Sequence, residues 1–394
     1  MMPKLEEISY FGNLLYIGMF NNCINLINID LPKLYKLDSK TNSSFYNCYN
    51  LKSINAPKLE VIADEMFSNC YKLEEVNIPN AKIIGEKAFY FTSSLNKGDF
   101  NFVTKINTMA FSNSSVEWIN TPILDYLGSY CFANYSEFGK TYNINNILKS
   151  IYAPELNEID DYAFAYTGGL TELDLPNLKS VGNNAFCESS VNYLYAPNLK
   201  TAGSLPTADN SVIVTKSDFE ECTEVNPNPT LTIQGEKGSY AENYTDKYNL
   251  EFVDVDAKGG SIRVTDAGLR FGFSFYDTKN KNVEEFGFIY SDSSTDNKLL
   301  TAYNTDGKTI YNMSAPNRIR HDDGVTTYNL VFTDIPESAY DFNISARAYV
   351  KINGKYFYSD ILTRSFSQVA WAVLADNDID SNTKETIRNM LKSA

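Results

Sequence analysis

From its first lines to about residue 200, the chain repeats one pattern of apolar and polar positions roughly every 22 residues. Its clearest copies are Leu51-x-x-Ile54-x-Ala56-Pro57-x-Leu59-x-x-Ile62 and Leu170-x-x-Leu173-x-Leu175-Pro176-x-Leu178-x-x-Val181. Prolines recur at 32, 57, 79, 122, 154, 176 and 197, and phenylalanines close successive units at 20, 45, 67, 89, 111, 132, 164 and 186. A fixed period of this length marks stacked repeats. No unit can bury its own apolar side, so only the stack makes a core.

Each unit opens on a short strand whose residues alternate, with Leu173 inward, Asp174 outward and Leu175 inward. The following proline lacks a donor and ends the ladder. A second apolar pair such as Leu59 and Ile62 then leads into a turn like Ile84-Gly85-Glu86-Lys87-Ala88-Phe89. Held at fixed phase, the phenylalanines are expected to stack as an aromatic spine along the convex side. Cys23, Cys48 and Cys70 share one repeat position, three residues after a phenylalanine. That phase predicts buried free thiols, small apolar fillers of the core.

The period breaks twice. Phe132 to Phe164 spans 32 residues, and the polar, aromatic surplus at 134–146 is expected to loop out. The interval from Phe20 to Phe45 is 25, with 39–44 supplying the extra. Such insertions either flank a binding face or are tolerated surface variation. Near the end of the array, Ser239 and Glu242 have capping-box spacing. This predicts a short closing helix from about Tyr240 to Tyr248, then a final strand at 250–253.

The repeat Leu-x-x-Ile-x-Leu-Pro-x-Leu-x-x-Ile-x-x-x-Ala-Phe-x-x-Cys resembles the bacterial surface leucine-rich repeat of the BspA type. Ile233-x-Gly235-x-x-Gly238-Ser239-x-Ala241-Glu242-x-Tyr244 is similar to that family's closing unit. The resemblance covers about 5–253. It departs at 95–103, where Asn101 replaces the proline, and at 202–229, where the consensus dissolves. It implies an α/β-type leucine-rich repeat solenoid of short parallel strands and few helices over 1–253, capped at 230–253. It also implies an exported, surface-displayed protein of a host-associated bacterium, linked to adhesion, with no catalytic residues to carry over.

From about Lys258 the period becomes two. Leu269, Phe271, Phe273 and Phe275 alternate, as do Phe286, Phe288 and Tyr290; Tyr328, Leu330 and Phe332; and Phe342, Ile344, Ala346, Ala348 and Val350. Turn texts at 305–307, 322–324 and 353–354 separate them. About seven strands over 258–364 predict an all-β antiparallel sandwich. Its last hairpin, Tyr340 to Val350 then Gly354 and Tyr358, is similar to that of fibronectin type III modules within the immunoglobulin-like class. A short helical tail over 365–394 carries one stripe of Phe366, Val369, Ala370, Val373 and Leu374 and another of Ile387, Met390 and Leu391.

With 34 Lys plus Arg against 49 Asp plus Glu, the formal charge is −15. Nucleic acid is thereby excluded as a partner, since phosphate binding draws on clustered Lys and Arg. No apolar run is long enough to span a membrane. The N-terminus shows no basic-then-apolar leader, so an extracellular or cell-surface protein is expected to be represented here without its leader. His321 is the only histidine, which removes His-rich zinc sites and leaves little room for a His-based triad. Asp376-Asn-Asp378-Ile-Asp380 invites calcium, but an EF-hand loop needs Gly and Glu where Ser381 and Ile387 stand. Ser381 or Asn382 is expected to cap the final helix instead. No catalytic residue, metal or cofactor is expected.

The informative positions point outward from the strands. One column reads Asn28, Ser53, Glu75, Trp118, Ser150, Glu172, Tyr193; its neighbour reads Asp30, Asn55, Asn77, Asn120, Tyr152, Asp174, Tyr195. Tyr and Trp are enriched where proteins bind one another. Trp118, Tyr152, Tyr193 and Tyr195, with Glu172, Asp174 and Glu75, are therefore the candidate ligand-binding residues of a concave face. The expected partner is a host extracellular or microbial surface macromolecule, protein or glycan. The alternatives are aromatic packing between strands and a structural spacer with no specific ligand.

Overall fold

The computed structural model describes residues 7–9, 14–15, 20–37, 44–134, 148–209, 211–215, 221–224, 227–278, 283–292 and 310–393. The insertions at 135–146 and 39–43 and the turn at 305–307 lie outside the described residues. The chain divides into two compact units, Met1–Ile233 with Gly238–Leu250, and Gln234–Lys237 with Glu251–Ala394.

In the first unit each turn contributes a three-residue strand and, past the proline position, a two-residue strand. Within each ladder both pair in parallel with their counterparts one turn away, and the three-residue strands fall into three such ladders, interrupted after Glu75–Asn77 and after Ser150–Tyr152. Asn28 lies beside Ser53 and Ser53 beside Glu75; Lys97 lies beside Trp118 and Trp118 beside Ser150. Glu172 lies beside Tyr193, and Tyr193 beside Val212. This register buries the central residues Ile29, Ile54, Ile119, Leu173 and Leu194 in one column. Eight of the two-residue strands form one ladder, from Val61–Ile62 to Glu221–Cys222, and Leu14–Leu15 pairs separately with Lys36–Leu37.

The phenylalanine spine is present. Phe20, Phe45, Phe67, Phe89, Phe111, Phe132, Phe164 and Phe186 stack in order, ring centroids 5.0 to 5.9 Å apart and near parallel. The turns that carry Phe67, Phe89, Phe111, Phe164 and Phe186 reverse through left-handed residues two positions before and after the ring. Glu65 and Asn69 flank Phe67, Lys87 and Phe91 flank Phe89, and Met109 and Asn113 flank Phe111, with φ from 53° to 61°. Cys23, Cys48 and Cys70 are free and buried beside the spine. Cys48 donates to the Phe20 carbonyl at 3.1 Å and Cys70 to that of Phe45 at 3.3 Å.

The closing helix runs Tyr240–Tyr248, as its spacing predicts. Its cap is built differently. The Ser239 hydroxyl makes no capping bond, and the Glu242 carboxylate accepts from the Gly238 N–H at 2.6 Å rather than from Ser239. Asn249 ends the helix in the left-handed region, φ 52°.

The second unit is antiparallel. The strand Glu251–Arg263 runs unbroken through 253–258 and pairs with Gly268–Asp277. That strand pairs with Thr326–Phe332, which pairs with Arg318–Arg320. In a second sheet, Glu285–Ser291 lies between Ile310–Ser314 and Ile344–Ile352, and the latter also pairs with Lys355–Tyr358 and Leu362–Arg364. The alternating residues of the two sheets meet face to face, with ring centroids of Phe273 and Phe288 5.7 Å apart and of Phe275 and Phe286 5.5 Å apart. Phe342 departs from the expected alternation. It is 65% exposed and precedes the strand, which begins at Ile344.

The helices Phe366–Ala375 and Ser381–Ser393 follow. Phe366, Ala370 and Ile387 share a small core with Tyr340, against which Val373, Leu374, Met390 and Leu391 pack. The last helix is capped by Asp380, not by Ser381 or Asn382. Its carboxylate accepts from the Thr383 N–H at 2.9 Å and hydroxyl at 2.6 Å. Asp376 accepts from the Asp378 N–H at 2.9 Å, so both carboxylates shape the turn between the helices.

Candidate functional site

A parallel ladder turns alternate side chains of every three-residue strand to one face. Trp118 and Tyr152 are 48% and 46% exposed there. Trp118 lies beside Ser150, and Tyr152 beside Asn120, so the two rings sit diagonally on adjoining strands. Lys149 holds its ammonium 4.9 Å from the Trp118 ring centre and 2.7 Å from the Glu117 carboxylate. One face of the indole is thus engaged by a cation.

Glu172 and Asp174 are exposed on the strand Glu172–Asp174. Beside them Tyr193 and Tyr195 are only half-buried, and the next residue in the Tyr193 column, Val212, is buried. Glu75 is exposed. These residues do not share one continuous ladder. Glu75 stands on the ladder that ends at Glu75–Asn77; Trp118 and Tyr152 stand on the ladder from Lys97–Asp99 to Ser150–Tyr152; the other four belong to the ladder that begins at Glu172–Asp174.

The early half of the face is polar because its side chains bind one another. Asn77 donates to Asn55, and Asn55 to Asp30, both at 2.7 Å; Ser53 donates to Asn28 at 2.8 Å. Column assignment in the sequence lost Lys97 and Asp99, because their unit lacks the proline that sets the phase. The register puts them beside Trp118 and Asn120.

Two further exposed side chains escaped the sequence. Phe102 is 54% exposed and Ile123 42%. Both stand one residue past the proline position. There Asn80, Asn177 and Asn198 donate to the proline carbonyl of the preceding turn, at 2.8, 3.1 and 2.7 Å. Listing that column (Lys33, Lys58, Asn80, Phe102, Ile123, Glu155, Asn177, Asn198) would have revealed the apolar pair.

Off this face, burial pushes the Glu224 carboxyl up to about 7, against an N–H from Leu205 at 3.1 Å. Burial likewise raises Asp254 to about 6, against an N–H from Lys237 at 3.0 Å. Among the described residues, no three His, Cys, Asp or Glu side chains gather as metal ligands would, and no helix is long and apolar enough to cross a membrane.

A family profile agrees with the repeat architecture of the first unit. The profile of the BspA type leucine rich repeat region, in 6 copies, matches residues 13–139, 61–192 and 137–223. No curated protein matches. A leucine-rich repeat protein from Bacteroides ovatus is similar among solved structures, at 21% identity and a TM-score of 0.48. The match covers 60% of this chain and 63% of that one. The repeat phase, the stacked spine and a profile match over more than half of its length place the chain in the BspA-type leucine-rich repeat family.

Proposed function

We propose that the chain is a non-catalytic binding protein, exported or held at the cell surface, that recognises a host or microbial protein or glycan. Its site is the concave, outward face of the strands between Trp118 and Tyr195. The observation that carries this reading is the pair of exposed rings, Trp118 and Tyr152, on adjoining strands of a parallel ladder. Rings fixed on a sheet lose little entropy on contact. Glu172 and Asp174, with Glu75 farther off, add steering more than affinity. The two sheets over 258–364 act in this reading as an independent immunoglobulin-like or fibronectin type III-like module, with 365–394 as its helical tail. Members of the family are typically surface-associated.

The test is retention on immobilised mucus and extracellular-matrix fractions, comparing the chain with its Trp118→Ser, Tyr152→Ser double variant. Retention lost in the variant supports the face; equal retention moves the site elsewhere. A spacer role draws support from the hydrogen-bonded column Asp30, Asn55 and Asn77. It predicts no retention of either protein.

A further inference from the structure

We infer that the partner is a protein segment carrying apolar side chains flanked by basic ones, and that it docks across the turns at 99–123 and 150–155, engaging Phe102 and Ile123 together with Trp118 and Tyr152. This rests on the strand-face reading and narrows it from protein or glycan to one class.

The repeats supply their own control. One residue past the proline position, Asn80, Asn177 and Asn198 each tie their turn to the one before. Phe102 and Ile123 give up that bond in adjoining turns and place large apolar side chains in water. In these same turns the outward columns change from Asn, Ser and Glu to Trp118 and then Tyr152. Four large exposed side chains fall within three successive turns, a concentration that points to an interaction surface.

The polar groups around the patch argue for protein over sugar. Asn120 donates to Asn101 at 3.0 Å, Asn157 to Asp125 at 2.7 Å, and Lys149 to Glu117 while covering a face of Trp118. A pyranose needs an open ring face and uncommitted donors and acceptors beside it. Here those groups are engaged with one another, and contact is left to apolar surface, as in the core of a protein interface. Charge selects among proteins. Exposed Asp99, Glu155, Glu172 and Asp174 outnumber Lys97 and Lys149 along this edge, and Lys149 is already paired with Glu117. A net charge of −15 repels a second copy of the chain and attracts a basic partner.

The probes are an array of short synthetic peptides, graded from acidic to basic and from polar to apolar, and an array of oligosaccharides. The full chain is compared with two double variants: Phe102→Asn with Ile123→Asn, which restores the amide used in other turns, and Trp118→Ser with Tyr152→Ser. Basic, apolar peptides should bind, more weakly as salt rises, and each variant should lose affinity by about tenfold or more. The asparagine variant should melt no lower than the parent. A fall in its melting temperature would show that the two apolar residues serve the stack, overturning the inference. Peptide binding lost only in the Trp118 variant would overturn the extension to Phe102 and Ile123 and leave the strand face standing. Preference for acidic peptides or oligosaccharides would overturn the partner class alone. Binding to neither array, or binding unchanged in both variants, would overturn the inference and the strand-face reading together.

Discussion

A Cβ atom added to Gly98 would collide with the Phe100 ring and lie 3.0 Å from the Ile119 side chain. Other turns put an aliphatic residue at this inward position, such as Ile54 or Leu173, and a smaller or aliphatic one two residues later, such as Ala56 or Leu175. The turn at 97–100 exchanges the two volumes. Gly98→Val should therefore cost about 1–3 kcal/mol by overpacking, and Phe100→Ala about 3–5 kcal/mol by leaving a cavity. Combining Gly98→Val with Phe100→Ala should cost clearly less than the sum, measured by denaturant unfolding. Strict additivity would show that the residues do not share one space. The sequence showed that this unit departs from the consensus but not that two departures compensate, because that depends on which way a ring tilts.

At the scale of the element, each turn touches only its neighbours. Phe111 is buried between Phe89 and Phe132, at 5.0 and 5.4 Å. Phe111→Ala should cost about 3–5 kcal/mol and start unfolding of the first unit at that layer. The second unit should keep its own transition in calorimetry; one transition moving as a whole would refute this independence. Burial pushes the Cys48 thiol up to about 12 and raises Cys70 as well. Both should resist a thiol reagent in the native protein and react fully once unfolded. Fast native labelling would show that these turns open. Elements with strong phase were legible: the strands, the spine, the closing helix and the alternating sheets. Their ends were not. Ser239 looked like a cap from spacing alone, yet Glu242 bonds one residue earlier, and Asp380 outcompeted Ser381 by reaching both donors of Thr383.

Across the whole molecule, Glu224 in the first unit and Asp254 in the second are carboxyls held at about 7 and about 6, against ordinary values of 4.5 and 3.8. A raised folded value means that folding penalises the ionised form. The penalty is complete above the folded value and is relieved as pH falls through it toward the ordinary one. Both units should therefore gain stability between about pH 7 and pH 5. Glu224→Gln should flatten this rise for the first transition only, and Asp254→Asn for the second. A melting temperature that falls steadily over the same range would contradict both assignments. The outward columns of the candidate face were legible at this scale, but its usable part was not. Spacing assigns Asn55 and Trp118 alike to the outer face, whereas hydrogen bonds and burial decide which side chains remain open to a partner.

The stacked phenylalanines also bear on what the molecule does under tension. Successive turns are fastened by the same ring contact, but the ladder of three-residue strands stops at Glu75–Asn77 and resumes at Lys97–Asp99, so the joint between those two turns should yield first. Load along the stack would detach turns singly. Through Phe45, Phe67, Phe89 and Phe111 each release adds 22 residues of slack, about 70–80 Å when extended. A stack that lengthens in equal steps under load would dissipate a sudden pull along its axis.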